Sequence, residues 1–343
     1  MASTKDSDSP EQQSTDATLN VVGVGNAIVD TLAHATDGQI AQLGLAKGAM
    51  TLIDADRAIE LHDQMEAAIE VSGGSAANTL VGVASLGGRG AYIGKVRDDQ
   101  LGEIFRHDIR AAGVDFRTTA ATDSLPTARS LIFVTPDAQR TMQTYLGASV
   151  ALGPDDIDAS LIGSATFTYL EGYLFDKDPA KAAFVRAAEI AHRADRRVAL
   201  TLSDPFCVDR HRASFLHLVS GHIDLLFANE AEITALFQVD DFDGAVAQIR
   251  GLCELAVITR GDQGSLIVSE RGLIPIAPEP VDRVIDTTGA GDLYAAGFLF
   301  GLTNGYELET CGRIGSIAAA EVISHYGARP ATSLADLVDQ RFA

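Results

Sequence analysis

Seven residues near the end of the chain, Asp286 to Asp292 (DTTGAGD), combine two acids with two hydroxyls and two glycines and run into the apolar stretch LYAAGFLFGL. A helix that begins there would present unpaired backbone N–H groups and the positive end of its dipole. The small residues Gly289, Ala290 and Gly291 would let an anion come close to those N–H groups. The stretch therefore predicts an anion cradle at a helix N-terminus.

Asp292 stands at the edge of this predicted cradle, where its charge would repel a resting phosphate. That cost is explained if the carboxylate accepts the proton of a hydroxyl group that attacks phosphorus. Phosphoryl transfer needs mainly positioning, charge stabilisation and one group that orients the nucleophile. The cradle and its acid would supply these. The spacing alone leaves a second interpretation open, a glycine-rich turn in which Asp292 caps the helix.

The rest of the chain must supply elements that hold this cradle, and it alternates short apolar strands with helical stretches such as DPAKAAFVRAAEIAHRA. The predicted strands are LNVVGVGN, AYIGKV, ATFTYLEGYLF, RRVALTLSD, IDLLFANE and LAVITRG. Most are apolar on both faces, which is typical of strands covered by helices on both sides. The alternation favours an α/β fold with a mostly parallel central sheet.

Two regions depart from this pattern. The segments LAKGAMTLIDA and ARSLIFVTPDAQRTMQTYLG alternate like half-exposed antiparallel strands, the second with a turn at Pro136-Asp137. We predict that they form a small β lid, from about 31–54 and 117–148, inserted into a single domain of residues 19–335. Residues 1–18 are rich in Ser, Asp, Gln and Thr and predict a disordered tail.

Composition excludes several classes of function. The formal charge is −21 and the pI is about 4.6, which argues against a nucleic-acid or anionic-membrane surface. The three cysteines are far apart and odd in number, so neither a disulfide framework nor a zinc cluster is expected. The polar N-terminus lacks an apolar signal core, and the apolar run at 293–302 is too short to span a bilayer. We expect a soluble cytoplasmic protein.

The turn GVGNAIVD matches a dinucleotide fingerprint only in part. Gly23 and Gly25 are present, but Ile28 occupies the third glycine position. A nicotinamide-dependent dehydrogenase is therefore improbable. The chain also lacks the sequence G-x-x-x-x-G-K-[ST] and the protein-kinase motifs, so a phosphate site here must be of another kind.

DTTGAGD followed by a small-residue helix resembles the signature of the ribokinase-type (PfkB) family of carbohydrate and nucleoside kinases. The resemblance extends from about Asn20 to Arg329. It implies a ribokinase-like three-layer α/β/α fold with a small β-sheet lid. It also implies that Asp292 is the catalytic base and that the backbone of Gly289, Ala290 and Gly291 is the anion hole for the transferred phosphoryl group.

The resemblance also assigns an acceptor site. Gly73, Gly74 and Asn78 match the family's first signature, G-G-x-x-x-N, in which the glycine backbone and the Asn contact the sugar. In the family, the turn near the N-terminus brings an acid to the acceptor hydroxyls, a role that falls on Asp30 with Asn26 beside it. One carboxylate can accept two vicinal hydroxyls. Without the resemblance, Asp30 would be interpreted as the cap of a turn.

The ATP side of the site is implied by two further stretches. Asn229-Glu230-Ala231-Glu232 resembles the N-x-x-E motif, in which the Glu helps to hold the hydrated Mg²⁺ that accompanies ATP, and TRGDQG resembles the loop that meets the ATP phosphates. The alternative for the two acids is complementing a helix dipole. Relatives often hold a monovalent cation after DTTGAGD. The resemblance assigns the metal to Glu232 and nucleotide binding to Asn229, Thr259, Gly261, Gly264 and Thr288.

Two stretches resemble the nucleoside branch of the family. ALTLSDPF is similar to a segment that puts an aromatic side chain against the base, which here is Phe206. DAQRTMQTYLGAS resembles a lid in which Arg140 covers the phosphates and Met142 covers the base. The other interpretations are a Phe206 that packs under its loop and an Arg140 that is a solvated charge on a hairpin.

The activity implied is ATP-dependent phosphorylation of a nucleoside 5′-hydroxyl, and the conversion of adenosine to AMP is the reaction we expect first. We expect the protein to be a monomer or a homodimer, with a nucleoside and ATP as its ligands and no nucleic-acid or membrane partner. A sugar kinase acting on ribose or fructose is the first alternative, although the apolar cover from Phe206 and Met142 disfavours it. A non-catalytic nucleoside or nucleotide sensor is the second. Retention of Asp292 argues against a sensor, which gains nothing from a base beside the phosphates.

Overall fold

The computed structural model describes residues 17–66, 68–137 and 139–343. The predicted tail, residues 1–18, therefore lies outside the described residues except at its last two positions. The strands within these ranges are β1 (Leu19–Val24), β2 (Ile28–His34), β3 (Met50–Leu52), β4 (Ile69–Gly73), β5 (Gly90–Ile93), β6 (Asp115–Phe116), β7 (Ala128–Val134), β8 (Arg140–Tyr145), β9 (Ala165–Glu171), β10 (Arg197–Thr201), β11 (Leu225–Asn229), β12 (Leu255–Thr259), β13 (Ser265–Ser269) and β14 (Gly272–Ile276).

The helices of the described residues lie between the strands along the chain. They are α1 (Asp37–Gln42), α2 (Ala55–His62), α3 (Ser75–Ser85), α4 (Gln100–Ala111), α5 (Ala159–Gly163), α6 (Asp178–Arg193), α7 (Pro205–Gly221), α8 (Glu230–Phe237), α9 (Phe242–Ile249), α10 (Ala290–Thr303), α11 (Leu308–Val322) and α12 (Leu334–Phe342). Short 3₁₀ turns cover Gly147–Ala151, Pro154–Asp156, Gly172–Asp176 and Gly261–Gln263.

The larger sheet has nine strands in the order β14-β13-β12-β11-β10-β9-β1-β5-β6 within the described residues. Seven of them run parallel, from β12 to β6 along that order. All six strands predicted from the sequence lie in this parallel part, which confirms the α/β prediction. The antiparallel hairpin β13–β14 at the edge was not predicted.

Two apolar clusters cover the faces of this sheet because successive side chains of a strand point to opposite sides. Val22 and Leu200 pack in the cluster that contains α6 and α7. Val21 and Ala199, their neighbours along the same strands, pack in the cluster that contains α3 and α10. The chain therefore forms three layers, with α6 to α9 on one face and α3, α4, α10 and α11 on the other.

Among the residues that the structure describes, the smaller sheet has five strands in the order β3-β8-β7-β2-β4. The hairpin β7–β8 is antiparallel, with its turn at Pro136 and Asp137 as expected. However, β2–β7 and β3–β8 pair in parallel, so the expectation of antiparallel strands throughout was wrong. The alternation of side chains has the same period in both arrangements, and only the hairpin turn fixes a direction from sequence. The ranges predicted for the lid contain β3, β7 and β8 and omit β4.

Among the described residues, no helix combines the length and the apolar character that crossing a membrane requires.

Candidate active site

A cavity of ≈ 420 Å³ lies where the smaller sheet meets the carboxyl ends of the parallel strands. The ends of neighbouring parallel strands meet at one edge of a sheet, which is where α/β proteins place their ligands. The smaller sheet contributes the opposite wall through Asp30, Arg140 and Met142. Five residues that line the cavity lie at or just after the ends of parallel strands, namely Asn26, Glu171, Thr201, Asn229 and Thr259.

The residues of the predicted anion cradle lie at the N-terminus of α10. Gly289 is the N-cap and has φ 80°, a conformation that favours glycine. The N–H of Ala290 donates to the carbonyl of Thr287 at 3.2 Å, and the N–H of Leu293 donates to the carbonyl of Gly289 at 2.8 Å. In the described part of the chain, no backbone acceptor is recorded for the N–H groups of Gly291 and Asp292. Gly291 lines the cavity, so two unpaired donors are available there.

Asp292 lines the same cavity, three positions after the N-cap. Its Oδ1 accepts from the Ser75 hydroxyl at 2.6 Å and its Oδ2 accepts from the Asn78 amide at 3.1 Å. Burial raises the pKa of Asp292 to about 6, and these two hydrogen bonds oppose that rise. The carboxyl is therefore ionised at neutral pH but more basic than an exposed aspartate, which suits a general base.

Asp30 lies on β2 at the acceptor side of the cavity. A Cβ on Gly73 would come within 2.3 Å of the Asp30 carboxylate, so the glycine on β4 leaves the space that this side chain occupies. Burial raises the pKa of Asp30 to about 6, the charges of Arg140 and Arg329 lower it, and Asp292 raises it. Asp30 and Asp292, two aspartates with raised pKa values, thus line the same cavity.

Arg140 reaches from β8 to the loop before α10. Its Nη1 donates to Oδ2 of Asp286 at 2.6 Å, and the two side chains are only 8% and 5% exposed. Asp286 also accepts from the Thr288 N–H and hydroxyl, and from the Gly327 N–H. Burial raises the pKa of Asp286, but the contacts with Thr288, Gly327 and Arg140 outweigh this and hold it below its ordinary value. Arg140 therefore fastens the smaller sheet to the cradle.

Glu232 and Asn229 form a reciprocal cap at the start of α8. The N–H of Asn229 donates to Glu232 at 3.0 Å, its side-chain amide donates to the other carboxylate oxygen at 2.6 Å, and the Glu232 N–H donates back at 2.8 Å. Both residues also line the cavity. Burial raises the pKa of Glu232 to about 7. The N-x-x-E motif is thus both a capping box and part of the cavity wall.

The cavity wall collects most of the residues proposed from the sequence. Of the predicted site residues, those that line it are Asn26, Asp30, Gly74, Asn78, Arg140, Met142, Asn229, Glu232, Thr259, Thr288, Gly289, Gly291 and Asp292. Gly73 and Ala290 are adjacent to wall residues but do not line it. Gly261 and Gly264 belong to a turn with φ of 58° and 81°, and they too lie off the wall.

Phe206 does not line the cavity, so the cavity wall does not support its role as a base contact, which stays a prediction. The Asp204 side chain caps α7 by accepting from the N–H groups of Phe206 and Cys207. This geometry leaves the ring of Phe206 in the first turn, 74% exposed to solvent. Tyr173, from the turn after β9, lines the cavity instead. Tyr173 lies near the end of the predicted strand ATFTYLEGYLF, two residues after β9 ends, and the rule that ligands lie at strand ends was the available signal for it.

Glu171, at the end of β9, is a second residue that sequence reasoning missed. It is 1% exposed and lines the cavity. Its carboxylate accepts from the Asn26 side chain at 2.7 Å and from the Ala76 N–H at 2.9 Å, which joins the β1–β2 turn to the start of α3. Burial raises the pKa of Glu171 to about 7. A lone acid at the end of an apolar strand was the signal.

The four cavity acids Asp30, Glu171, Glu232 and Asp292 predict a pH dependence of stability. Each has a folded-state pKa of about 6 or 7 against ordinary values of 3.8 or 4.5, mainly because of burial. The folded state therefore binds more protons between about pH 4 and pH 7, so stability falls as pH rises through this window. The pKa of Asp286 is lowered, so this residue changes the pH dependence of stability only below that pH window.

We expect the thermal unfolding midpoint of the ligand-free protein to be lower at about pH 8 than at about pH 5.5, and Asp292→Asn to reduce the difference. Calorimetry at several pH values measures this. Added salt screens the general repulsion of a chain with charge −21 and should leave most of the difference, which comes from buried groups. A midpoint that rises between these pH values would contradict the pKa assignments.

The fold and the site together define a class of protein, an α/β phosphotransferase whose acceptor is a hydroxyl group. The sequence pattern of the pfkB family carbohydrate kinases matches residues 39–334. The chain therefore belongs to the pfkB family of carbohydrate kinases, and it is an enzyme that uses ATP to phosphorylate an alcohol group. The predicted family and fold class are confirmed.

Individual relatives include nucleoside and sugar kinases. The crystal structure of adenosine kinase from Sinorhizobium meliloti matches with a TM-score of 0.89 at 51% identity and covers 95% of this chain and 100% of that one. Adenosine kinase of Saccharomyces cerevisiae is 28% identical over 332 residues, which are 90% of this chain and 96% of that protein. The 5-dehydro-2-deoxygluconokinase of Geobacillus thermodenitrificans is also 28% identical, over 296 residues, 82% of this chain and 88% of that protein.

Proposed function

We propose that this protein is an ATP-dependent nucleoside kinase that converts adenosine to AMP, a purine-salvage reaction, in the cytoplasm. The observation that carries the proposal is the position of Asp292 beside the unpaired N–H groups of α10, in a cavity that also holds Asp30. Support for the nucleoside comes from the 51% identity to the Sinorhizobium meliloti adenosine kinase. The chain is also 28% identical to a sugar kinase, so the identity of the acceptor molecule is what an experiment must test.

The cavity wall offers a nucleoside two different environments. Met50, Leu52, Met142 and Tyr173 supply thioether, aliphatic and aromatic surface, which suits the faces of a purine. Asp30, on the adjoining wall, suits the vicinal hydroxyls of a ribose, because one carboxylate accepts two hydroxyl hydrogens. A simple hexose would leave the apolar surface uncovered.

The proposed reaction is an in-line transfer. The 5′-hydroxyl donates its proton to a carboxylate oxygen of Asp292 as its own oxygen forms a bond to the γ-phosphorus of ATP. The bond from that phosphorus to the β,γ-bridging oxygen breaks, and ADP leaves. The N–H groups at the start of α10 stabilise the charge on the transferred group. The walls formed by the smaller sheet exclude water that would otherwise hydrolyse ATP.

Magnesium fits this site as a hydrated ion. Among the described residues, no cluster of three or more His, Cys, Asp or Glu side chains is arranged to hold a metal ion. Glu232 uses two of its lone pairs for Asn229, and a carboxylate has about four, so it can still accept from the metal's waters. Mg²⁺ prefers one or two carboxylates together with waters and phosphate oxygens. When bound, it would neutralise charge on the ATP phosphates.

A sugar-acid kinase is the second candidate, because of the 5-dehydro-2-deoxygluconokinase relatives. The acidity of the cavity disfavours it. A sugar acid would bring a carboxylate next to Asp30, Glu171 and Asp292. Of the two arginines that line the cavity in the described part of the chain, Arg140 is already paired with Asp286, and Arg210 also has a partner. A neutral nucleoside meets no such repulsion.

The test is ADP release from MgATP with a panel of adenosine, inosine, guanosine, ribose, fructose and 5-dehydro-2-deoxygluconate, with an acceptor-free reaction as the background. We expect adenosine to give the highest kcat/KM. A higher value for any sugar would replace the nucleoside assignment. Tight nucleoside binding without ADP release would instead favour a sensor.

A further inference from the structure

Asn78 lies between two charged side chains of opposite sign, Asp292 and Arg329. Its amide nitrogen donates to Oδ2 of Asp292 at 3.1 Å, and its carbonyl oxygen accepts from Nε of Arg329 at 3.4 Å. Asn78 is 5% exposed. The three side chains come from α3, from the first turn of α10 and from the segment after α11, so the contact joins distant parts of the chain.

The chemistry of the two neighbours fixes which way the Asn78 amide points. An ionised carboxylate only accepts hydrogen bonds, and a guanidinium only donates them. With Arg329 on one side, the carbonyl of Asn78 has to face the arginine, and the NH₂ group has to face Asp292. Without a donor at position 329, only Asp292 would favour this orientation, and the Asn78 amide would lose the contact that holds its carbonyl end in place.

Arg329 is held in a way that suits this role. Burial lowers its pKa, while the charges of Asp30 and Asp108 raise it, and its buried Nη2 has no hydrogen-bond partner among the described residues. Its position is set by the backbone next to it. The N–H of Gly327 donates to Asp286 at 3.0 Å, and the backbone of Ala328 packs against Gly289. The segment that supports the anion cradle thus also carries the arginine.

We propose that Arg329 is a positioning residue, which holds the Asn78 amide so that its NH₂ group donates to the catalytic base. This inference rests on the proposed role of Asp292 and extends it. Arg329 itself does not line the cavity. It acts on the reaction through Asn78, and its effect is expected on the proton affinity and the orientation of the Asp292 carboxylate.

Other groups also influence Asp292 and must be separated from this effect. Ser75, on α3, donates a hydrogen bond to Asp292. The negative charge of Asp292 also raises the pKa of several neighbours, which are Asp30 on β2, Glu171 on β9, Glu232 on α8 and the phenols of Tyr169 and Tyr173. Removing Arg329 also takes a positive charge away from Asp30. A comparison that includes Asn78 therefore isolates the proposed route.

The experiment measures the pKa of Asp292 in the ligand-free protein from the ¹³C chemical shift of its carboxyl carbon, assigned with Asp292→Asn. Four proteins are compared: wild type, Arg329→Met, Asn78→Ala and the double variant. We expect Arg329→Met to raise the pKa by about one unit, because a less firmly held Asn78 amide gives the charged form a weaker hydrogen bond. In the Asn78→Ala background, the same substitution should shift it much less.

Arg329→Lys keeps a donor-only cation and should restore a value near that of the wild type. Arg110→Met is the matched control, since Arg110 also donates to an oxygen of the chain, the carbonyl of Phe116, but away from the cavity. It should leave the pKa of Asp292 unchanged. An equal shift from Arg329→Met with and without Asn78, or no shift in a folded variant, would overturn the proposal. Thermal unfolding verifies folding.

Kinetics then adds a second readout. If the proposed function holds, the acid limb of the kcat profile moves about one pH unit higher in Arg329→Met. We then expect kcat to fall about tenfold at about pH 5 but only about twofold at about pH 7, and the acceptor KM to change less than kcat on the acid limb. An unmoved limb in an active variant would count against Arg329. Absence of turnover by the wild type with every acceptor would refute the proposed function, while the titration would still decide the role of Arg329.

Discussion

Asp292→Asn is expected to lower kcat by about 10²–10⁴-fold, because it removes the group that takes the proton of the attacking hydroxyl. The substitution preserves the local contacts. The amide oxygen can still accept from Asn78, and the new NH₂ group can donate to the Ser75 hydroxyl, which can turn to accept. Binding of nucleoside and MgATP should therefore remain within a few-fold of wild type. Single-turnover rates and calorimetric binding measure the two effects separately.

The control for this variant is Asp243→Asn. Asp243 is also an acid in the first turn of a helix, α9, and is exposed away from the cavity. The control loses the same favourable interaction with a helix dipole, so a general effect of neutralising such an acid would appear in both variants. Turnover by Asp292→Asn close to that of the wild type would contradict its role as general base. So would a loss explained entirely by weaker binding.

Much of the fold follows from the sequence because its signals are local. The apolar strands LNVVGVGN and IDLLFANE are buried on both faces, and only a helix-covered parallel sheet does that to so many short strands. The start of α10 at the proposed anion cradle was also predictable, since Gly289, Gly291 and Asp292 are close together in the chain. These features need no knowledge of distant contacts.

What the sequence could not provide depends on distant contacts. The parallel pairing of β3 with β8 joins segments about ninety residues apart, and alternation of side chains does not encode direction. Phe206 carries the right chemistry for a base contact, but the cap made by Asp204 sets its ring in solvent. Glu171 and Arg329 acquire their roles only when Asn26, Ala76 and Asn78 are brought to them.

The two glycines of the cradle make a matched pair, and their alanine variants are expected to fail in different ways. Gly289 has φ 80°, and a Cβ there would lie 2.7–3.0 Å from the backbone of Ala328. Alanine at this position costs about 1–2 kcal/mol for the left-handed conformation, and the clash adds to that. Gly289→Ala should therefore lower the free energy of unfolding and the activity together.

At Gly291, by contrast, a Cβ would meet no atom within 4 Å beyond its chain neighbours and the backbone of its own helix. Alanine is the better helix former by up to about 1 kcal/mol, so Gly291→Ala should be as stable as the wild type or more so. Its methyl group would nevertheless occupy the space through which the phosphoryl group approaches the N–H donors. Because one lost oxyanion donor typically costs about 10²–10³-fold in rate, we expect a fall in kcat of about 10²-fold. Denaturant unfolding and ADP release, measured on both variants, test the pair. A Gly291→Ala enzyme with full activity would show that the transferred group does not use these amides.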